Sequence, residues 1–198
     1  MPSTPDVVVC LAHRRWSCFY ERSQHLMTQC AQERSAVYVE EPEFDTSGPD
    51  VEMSETRTGV ITLIPHIPPT TLLEGVRRAQ RRALDVVLAH LGCTNPVLWY
   101  YAPQALAWTD HLAPSAIVYD WLEPSRMEVP TLGLGRDHQK LLDVADVVFT
   151  DGEPDHRRLV HHNVHAIGDE LTAPQAWRTM WSRVEQATQR RPDVGIAL

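Results

Sequence analysis

Short runs of β-branched and apolar residues recur along the chain: VVVCLA (7–12), AVYVE (36–40), VITLIP (60–65), VLWYY (97–101), AIVYD (116–120), DVVFT (146–150) and NVHAIG (163–168). Most are continuously apolar rather than alternating, the pattern of strands covered on both faces. Between them, YERSQHLMTQCAQER (20–34) and LEGVRRAQRRALDVVLAHLG (73–92) carry helical periodicity, the second stopped by Gly92. Such alternation predicts a parallel sheet flanked by helices. The expected fold is α/β: a doubly wound, mainly parallel Rossmann-like sheet of about six or seven strands with helices on both faces, plus a C-terminal docking helix. The domain is expected over residues 1–168, with 169–198 forming the terminal helix and tail. There Thr172 suits a cap, Pro174 a first helical turn, and Trp177 and Trp181 share one face. The polar, turn-rich segment 41–59, EPEFDTSGPDVEMSETRTG, predicts a long surface loop.

With 198 residues the chain has room for one ordinary domain and its core. The formal charge of −8 carries no compensating basic stripe, which argues against nucleic acid as a partner. The run RRAQRR (Arg77 to Arg82) spreads around a helix and reads as a solvated face. No apolar stretch approaches the ~20 residues of a membrane helix, and the N-terminus does not read as a signal peptide, so no integral membrane segment is expected. Cys10, Cys18, Cys30 and Cys93 show neither CxxC spacing nor framework density, which predicts a reduced, cytoplasmic protein.

In an open parallel sheet, ligands bind beyond the carboxyl ends of the strands, where strand order reverses. Three connections matter on that rule: HRRWSCFYERSQHL after the first strand, YYAPQAL after the fourth and DWLEPSR after the fifth. The first lacks GxGxxG, so a dinucleotide on a glycine turn is not indicated. It offers His13, Arg14, Arg15, Trp16, Glu21, Arg22, Gln24 and His25, a basic, aromatic and amide-rich rim suited to a polyhydroxylated or phosphorylated ligand. The competing reading packs Trp16 on the sheet edge and pairs Arg22 with Glu21 or a neighbouring acid. In WYYAPQALAW (99–108), Trp99 and Tyr100 point to opposite faces of a buried strand, while Tyr101 and Pro103 fall at its carboxyl end, where a ring edge and a hydroxyl can meet a sugar. Asp120 closes the fifth strand and Glu123 follows in the turn; these carboxylates suit a base or sugar-hydroxyl contacts, or equally a cap.

The cluster His156, His161, His162 and His165 invites a metal reading. Only His161 or His162 with His165 has short-range ligand spacing, no cysteine lies near, and a strand would separate the side chains, so no metal is expected. A hydrolase has no anchor either, since GxSxG is absent.

Taken in order, RRWSCFYERSQHLM, VYVEEPEF, ITLIPHIP, LWYYAPQALAWTDHLAPSAIVYDWLEPS, LLDVADVVFTDG and HHNVHAIG resemble the N-terminal domain of GT-B glycosyltransferases, of the bacterial type encoded near or fused to UDP-galactopyranose mutase. The tail APQAWRTMWSRVEQ is similar to the last helix of such enzymes, which crosses back onto that domain. The resemblance implies a sugar or sugar-phosphate ligand at the sheet's carboxyl edge, with Trp16, Arg22, Gln24 and Tyr101 in binding and Asp120 and Glu123 in catalysis. It also implies that the donor site belongs to a second Rossmann-like domain. Here NVHAIGDE passes almost directly to the terminal helix, so a nucleotide-sugar donor is expected only with a second subunit, and no other cofactor. Departures from the family pattern at Glu21 to Gln24, at Leu122 to Ser125 and at Thr150 to Gly152 point to weakened or lost transfer. The alternative is an interaction module that dimerises, or docks on a related glycosyltransferase, through the vacated interdomain face.

Overall fold

The structure, a computed structural model, describes residues 6–18, 21–48, 50–122, 134–151, 161–168 and 171–190. Eight strands form one sheet: β1 (Val7–Leu11), β2 (Ser35–Val39), β3 (Asp50–Glu55), β4 (Val60–His66), β5 (Val97–Tyr100), β6 (Ala116–Trp121), β7 (Val147–Thr150) and β8 (Val164–Ala166). The helices are α1 (Arg22–Cys30), α2 (Leu73–His90), α3 (Leu106–Thr109), α4 (Leu134–Val144) and α5 (Ala173–Thr188), with a 3-10 turn at Pro103–Ala105. Spatial order is β3-β4-β2-β1-β5-β6-β7-β8, and every pairing is parallel except that of β3 with β4. The chain winds outward from β1 through β2 and β4, then returns to lay β5 against the other side of β1. The order therefore reverses between β1 and β5, the place in an open α/β sheet where connections diverge.

The apolar strands are continuous because each serves two cores. In β1, Val7, Val9 and Leu11 join the layer containing Leu84, Val87 and Leu88 of α2, whereas Val8 and Cys10 join Leu26 and Met27 of α1 and Trp177, Met180 and Trp181 of α5. The two-residue period sends successive side chains to opposite faces, and burying each large one contributes roughly 1.5–3 kcal/mol. Trp99 and Tyr100 divide in the same way, Trp99 facing α5 and Tyr100 facing α2.

The helix ends follow local chemistry. Gly92 has φ +63°, its N–H reaches the Ala89 carbonyl at 3.1 Å and the Cys93 N–H reaches Leu88 at 2.9 Å, closing α2 with paired reversed bonds. At α5, Gln175 Oε1 accepts the Thr172 N–H at 3.0 Å and the Thr172 hydroxyl at 2.8 Å, and Pro174 lies in the first turn. Trp177 stacks on Trp181 at 5.0 Å and on Trp99 at 6.2 Å, which anchors the helix to the sheet.

One expectation is corrected. The segment 41–59 is not a continuous loop: Asp50–Glu55 form β3, antiparallel to β4, with the turn closed at Gly59 (φ +81°). All six residues of β3 are exposed, so no buried face stamps an apolar period on the sequence. Backbone pairing holds it, together with a 2.8 Å hydrogen bond between the Ser54 and Thr62 hydroxyls. Asp50, Glu52 and Glu55 place charge along this edge and oppose further strand addition.

Trp177→Ala should destabilise the chain by about 3–5 kcal/mol, the range for emptying a buried tryptophan site. Gly92→Ala should cost only about 1 kcal/mol, through its left-handed backbone, because nothing lies within 4 Å of the new methyl group. Urea denaturation distinguishes the two; near-equal losses would contradict this account of the core.

Candidate functional site

The carboxyl ends of β1, β5 and β6 converge on one carboxylate. Asp120 occupies the same face of β6 as Ala116 and Val118, the face covered by α1 and α5, and it is fully buried. Tyr101 follows β5 on that face, and its hydroxyl donates to Asp120 Oδ2 at 2.5 Å. Arg22, the first residue of α1, brings Nη2 to 3.1 Å from Asp120 Oδ1, and the same nitrogen lies 3.7 Å from the Met180 sulfur of α5. Three side chains thus tie two strand ends to a helix start and to the terminal helix.

Burial pushes the Asp120 carboxyl above its ordinary range; Arg22, the Tyr101 hydroxyl and the Trp99 indole N–H oppose the rise by favouring the anion, while Asp151 adds to it. Burial and the adjacent Asp120 hold the Tyr101 phenol well above its usual value, so its proton stays in place to donate. In this arrangement the carboxylate faces protein atoms, and the group of the triad that reaches solvent is Arg22, about one-fifth exposed. The triad is built to position the strand ends, and a ligand would meet it through Arg22.

The connection after β1 forms the rim. The Tyr101 and Ala102 N–H groups both reach the Leu11 carbonyl, at 3.0 and 3.1 Å, clamping β5 to β1 at the point of reversal. His13 lies just beyond; burial, then Arg14, lowers its pKa, so a neutral ring faces the switch point. Arg14 pairs with Glu21 at 3.2 Å, and Arg15 pairs with Glu40 at 3.4 Å and with Glu43 at 3.2 Å. The rim guanidinium groups are therefore already engaged by carboxylates. Burial raises the Glu40 pKa, opposed by the Trp16 backbone N–H and by Arg15.

Of the residues singled out from sequence, Arg22, Tyr101 and Asp120 come together. Trp16 stands apart, edge-on to Tyr38 of β2 at 5.0 Å. Gln24 is buried, and its Oε1 accepts the Glu21 N–H at 3.0 Å and the Ser23 hydroxyl at 2.9 Å, fastening the start of α1. Glu123 lies outside the described residues, as does His156. His161 Nε2 lies 3.0 Å from the Ala145 carbonyl and His165 Nε2 lies 2.8 Å from Asn163 Oδ1, separate engagements rather than a shared ligand set. Sequence reasoning missed Glu40, whose signal was an acid closing an apolar strand, and Met180, which only the return of α5 brings near.

No protein-family model matches the sequence, and no curated protein matches it. Solved structures do match the fold. A sucrose-phosphate synthase fragment from Thermosynechococcus elongatus superposes with a TM-score of 0.59 at 13% identity, covering 91% of this chain and 98% of the fragment. A longer chain of that synthase gives a TM-score of 0.57 at 13% identity over 82% of this chain, which spans about half (48%) of its length. The doubly wound, mainly parallel α/β sheet is the architecture shared with that fragment. Among the described residues, no helix is long and apolar enough to cross a membrane.

Removing one partner of the buried pair should be costly. Asp120→Ala should destabilise by about 3 kcal/mol at neutral pH, the low end for breaking a buried pair because Arg22 retains some solvent. Arg22→Met leaves Asp120 uncompensated and raises its folded pKa further. A raised carboxyl pKa gives stability that is complete below the unfolded value, about 3.9, and is lost as pH rises through the folded value. The deficit of Arg22→Met should therefore be larger at pH 8 than at pH 4.5 in denaturant titrations. A deficit independent of pH would contradict the pairing.

Proposed function

We propose that the chain is a glycosyltransferase-like module that binds a sugar or sugar phosphate in the crevice where β1 and β5 part. The observation that carries this reading is the meeting of Arg22, Tyr101 and Asp120 at the point of strand reversal, where an open α/β sheet takes its ligands. The fold shared with sucrose-phosphate synthase, an enzyme named for a sugar phosphate, supports the same ligand class. The YYAP to VYD stretch and ADVVFT support descent from the type associated with UDP-galactopyranose mutase.

In this reading Tyr101 and Asp120 fix the shape of the crevice wall, Arg22 offers its exposed side to the ligand, and His13 and Trp16 flank the entrance. A ligand phosphate has to compete with Glu21, Glu40 and Glu43 for Arg14 and Arg15, which favours sugar hydroxyls as the main contacts. The nucleotide-sugar donor is held elsewhere, on a second domain or subunit, so transfer needs that partner. We place it in the cytoplasm, where its free thiols stay reduced. If the crevice has become a docking face instead, its occupant is a second copy or a related glycosyltransferase.

Calorimetric titration with glucose, glucose 6-phosphate and UDP-glucose tests the reading. Saturable binding of the first or second near ~1 mM, about 4 kcal/mol, is expected, with UDP-glucose no tighter. His13→Ala should weaken it at least about fivefold, roughly 1 kcal/mol. If none of the three binds, the ligand reading fails; dimerisation in a light-scattering concentration series would then favour the docking face.

A further inference from the structure

A second group of side chains lies away from the triad, on the β4 side of the sheet. Glu43 forms a parallel bridge with His66: its N–H donates to the Pro65 carbonyl at 2.8 Å and its carbonyl accepts the Ile67 N–H at 2.7 Å. Backbone bonds therefore fix these two residues side by side, and Asp45 follows two positions on. One ligand atom from each of Glu43, Asp45 and His66 lies within 4.8 Å of the others.

The histidine is oriented at both nitrogens. Asp45 Oδ1 and Oδ2 lie 2.8 and 3.0 Å from Nδ1, and Glu52 Oε2 of β3 lies 3.5 Å from Nε2. Glu43 uses Oε1 toward Arg15, leaving its second oxygen for another partner. Charge is also unbalanced here. Glu40 and Glu41 share Arg15 with Glu43, so five carboxylates, with Asp45 and Glu52, face one guanidinium and one imidazole. Even a protonated His66 leaves excess negative charge, which a cation would relieve.

We propose that Glu43, Asp45 and His66 form a binding site for one divalent ion of the zinc class. His66 ligates through Nδ1, displacing its contact with Asp45, while Nε2–H donates to Glu52. That division is the usual outer-shell arrangement for a metal-bound imidazole, in which a carboxylate fixes tautomer and ring orientation. One imidazole nitrogen and two carboxylates suit zinc, with water completing the shell on the exposed side. Tetrahedral ligands at about 2.1 Å stand about 3.4 Å apart, so the set has to contract on binding. Asp45, about half exposed, has the freedom to do so. The bound ion pins the connection after β2 to the end of β4, next to the Arg15 pairs of the rim.

The full chain, stripped with a chelator and dialysed, is titrated with Zn2+ and separately with Mg2+ by calorimetry at pH 7.5. One zinc per chain is expected, with a rise in Tm and binding at least tenfold tighter than magnesium. His66→Ala and Asp45→Asn should each weaken zinc at least tenfold, and Glu52→Gln by about tenfold, the lower end for loss of an outer-shell partner. Asp45 is exposed, so its variant remains informative if His66→Ala fails to fold. A His161→Ala, His165→Ala double variant should bind zinc unchanged. Absence of stoichiometric zinc binding, affinity unaffected by Asp45→Asn, or equal uptake of magnesium would overturn the site.

Discussion

A carboxylate with no access to water, at the end of a central strand, sets the terms for this fold. Ionised Asp120 carries a desolvation penalty of several kcal/mol, and a folded chain has to answer it with an opposite charge and hydrogen bonds. Arg22 and Tyr101 supply them. Because Arg22 starts α1, Tyr101 ends β5 and Asp120 sits in β6, satisfying one charge fixes three elements at the edge where their loops diverge. The start of α1 cannot slide along the sheet without uncovering the carboxylate. Gln24 restrains the same turn from the other side by holding the Glu21 N–H.

The strands were legible because they are buried on both faces: VVVCL and VLWY admit no polar residue, so their period-free apolar runs stand out. β3 was illegible for the opposite reason, since an edge strand exposed on both faces leaves no burial pattern to read. The site was half legible. Placing Asp120 and Tyr101 at strand ends required only the strands, but the pairing of Arg22 with Asp120 spans nearly a hundred residues and depends on which face each strand shows. Gln24 had a local signal that points away from a ligand: three positions after Glu21, at the opening of a helix, it has the spacing of a reciprocal cap. Trp16 packs on Tyr38, in keeping with the sheet-edge reading weighed beside the sugar reading.

Charge at the rim carries a lesson about basic clusters. HRR read alone is a cationic patch, yet Arg14 and Arg15 meet Glu21, Glu40 and Glu43 in space. In a chain with net charge −8 there are more acids than cations to meet, so exposed guanidinium groups find partners. Ion pairs at such half-exposed positions contribute little to stability, about 0–1 kcal/mol each. Their larger effect is to set the field a ligand encounters: a nearly neutral rim by β1, and a surplus of carboxylates toward β4.

The terminal helix belongs to the same physical problem as the buried carboxylate. α5 lies across α1 and the sheet through Trp177, Met180, Trp181 and Val184, and Met180 touches the guanidinium that answers Asp120. Arg34, just past α1, lies 4.3 Å over the Trp181 ring and 3.6 Å from Glu185, so α1 is held to α5 along its length. Without α5, Arg22 would have water in place of the Met180 sulfur, and the dielectric around Asp120 would rise. The pair would weaken, and so would the reason for α1 to sit where it does. The helix that follows the Rossmann-like layer in sequence is therefore part of what holds these strand ends and the start of α1 in place, although it contributes none of the three residues of the triad.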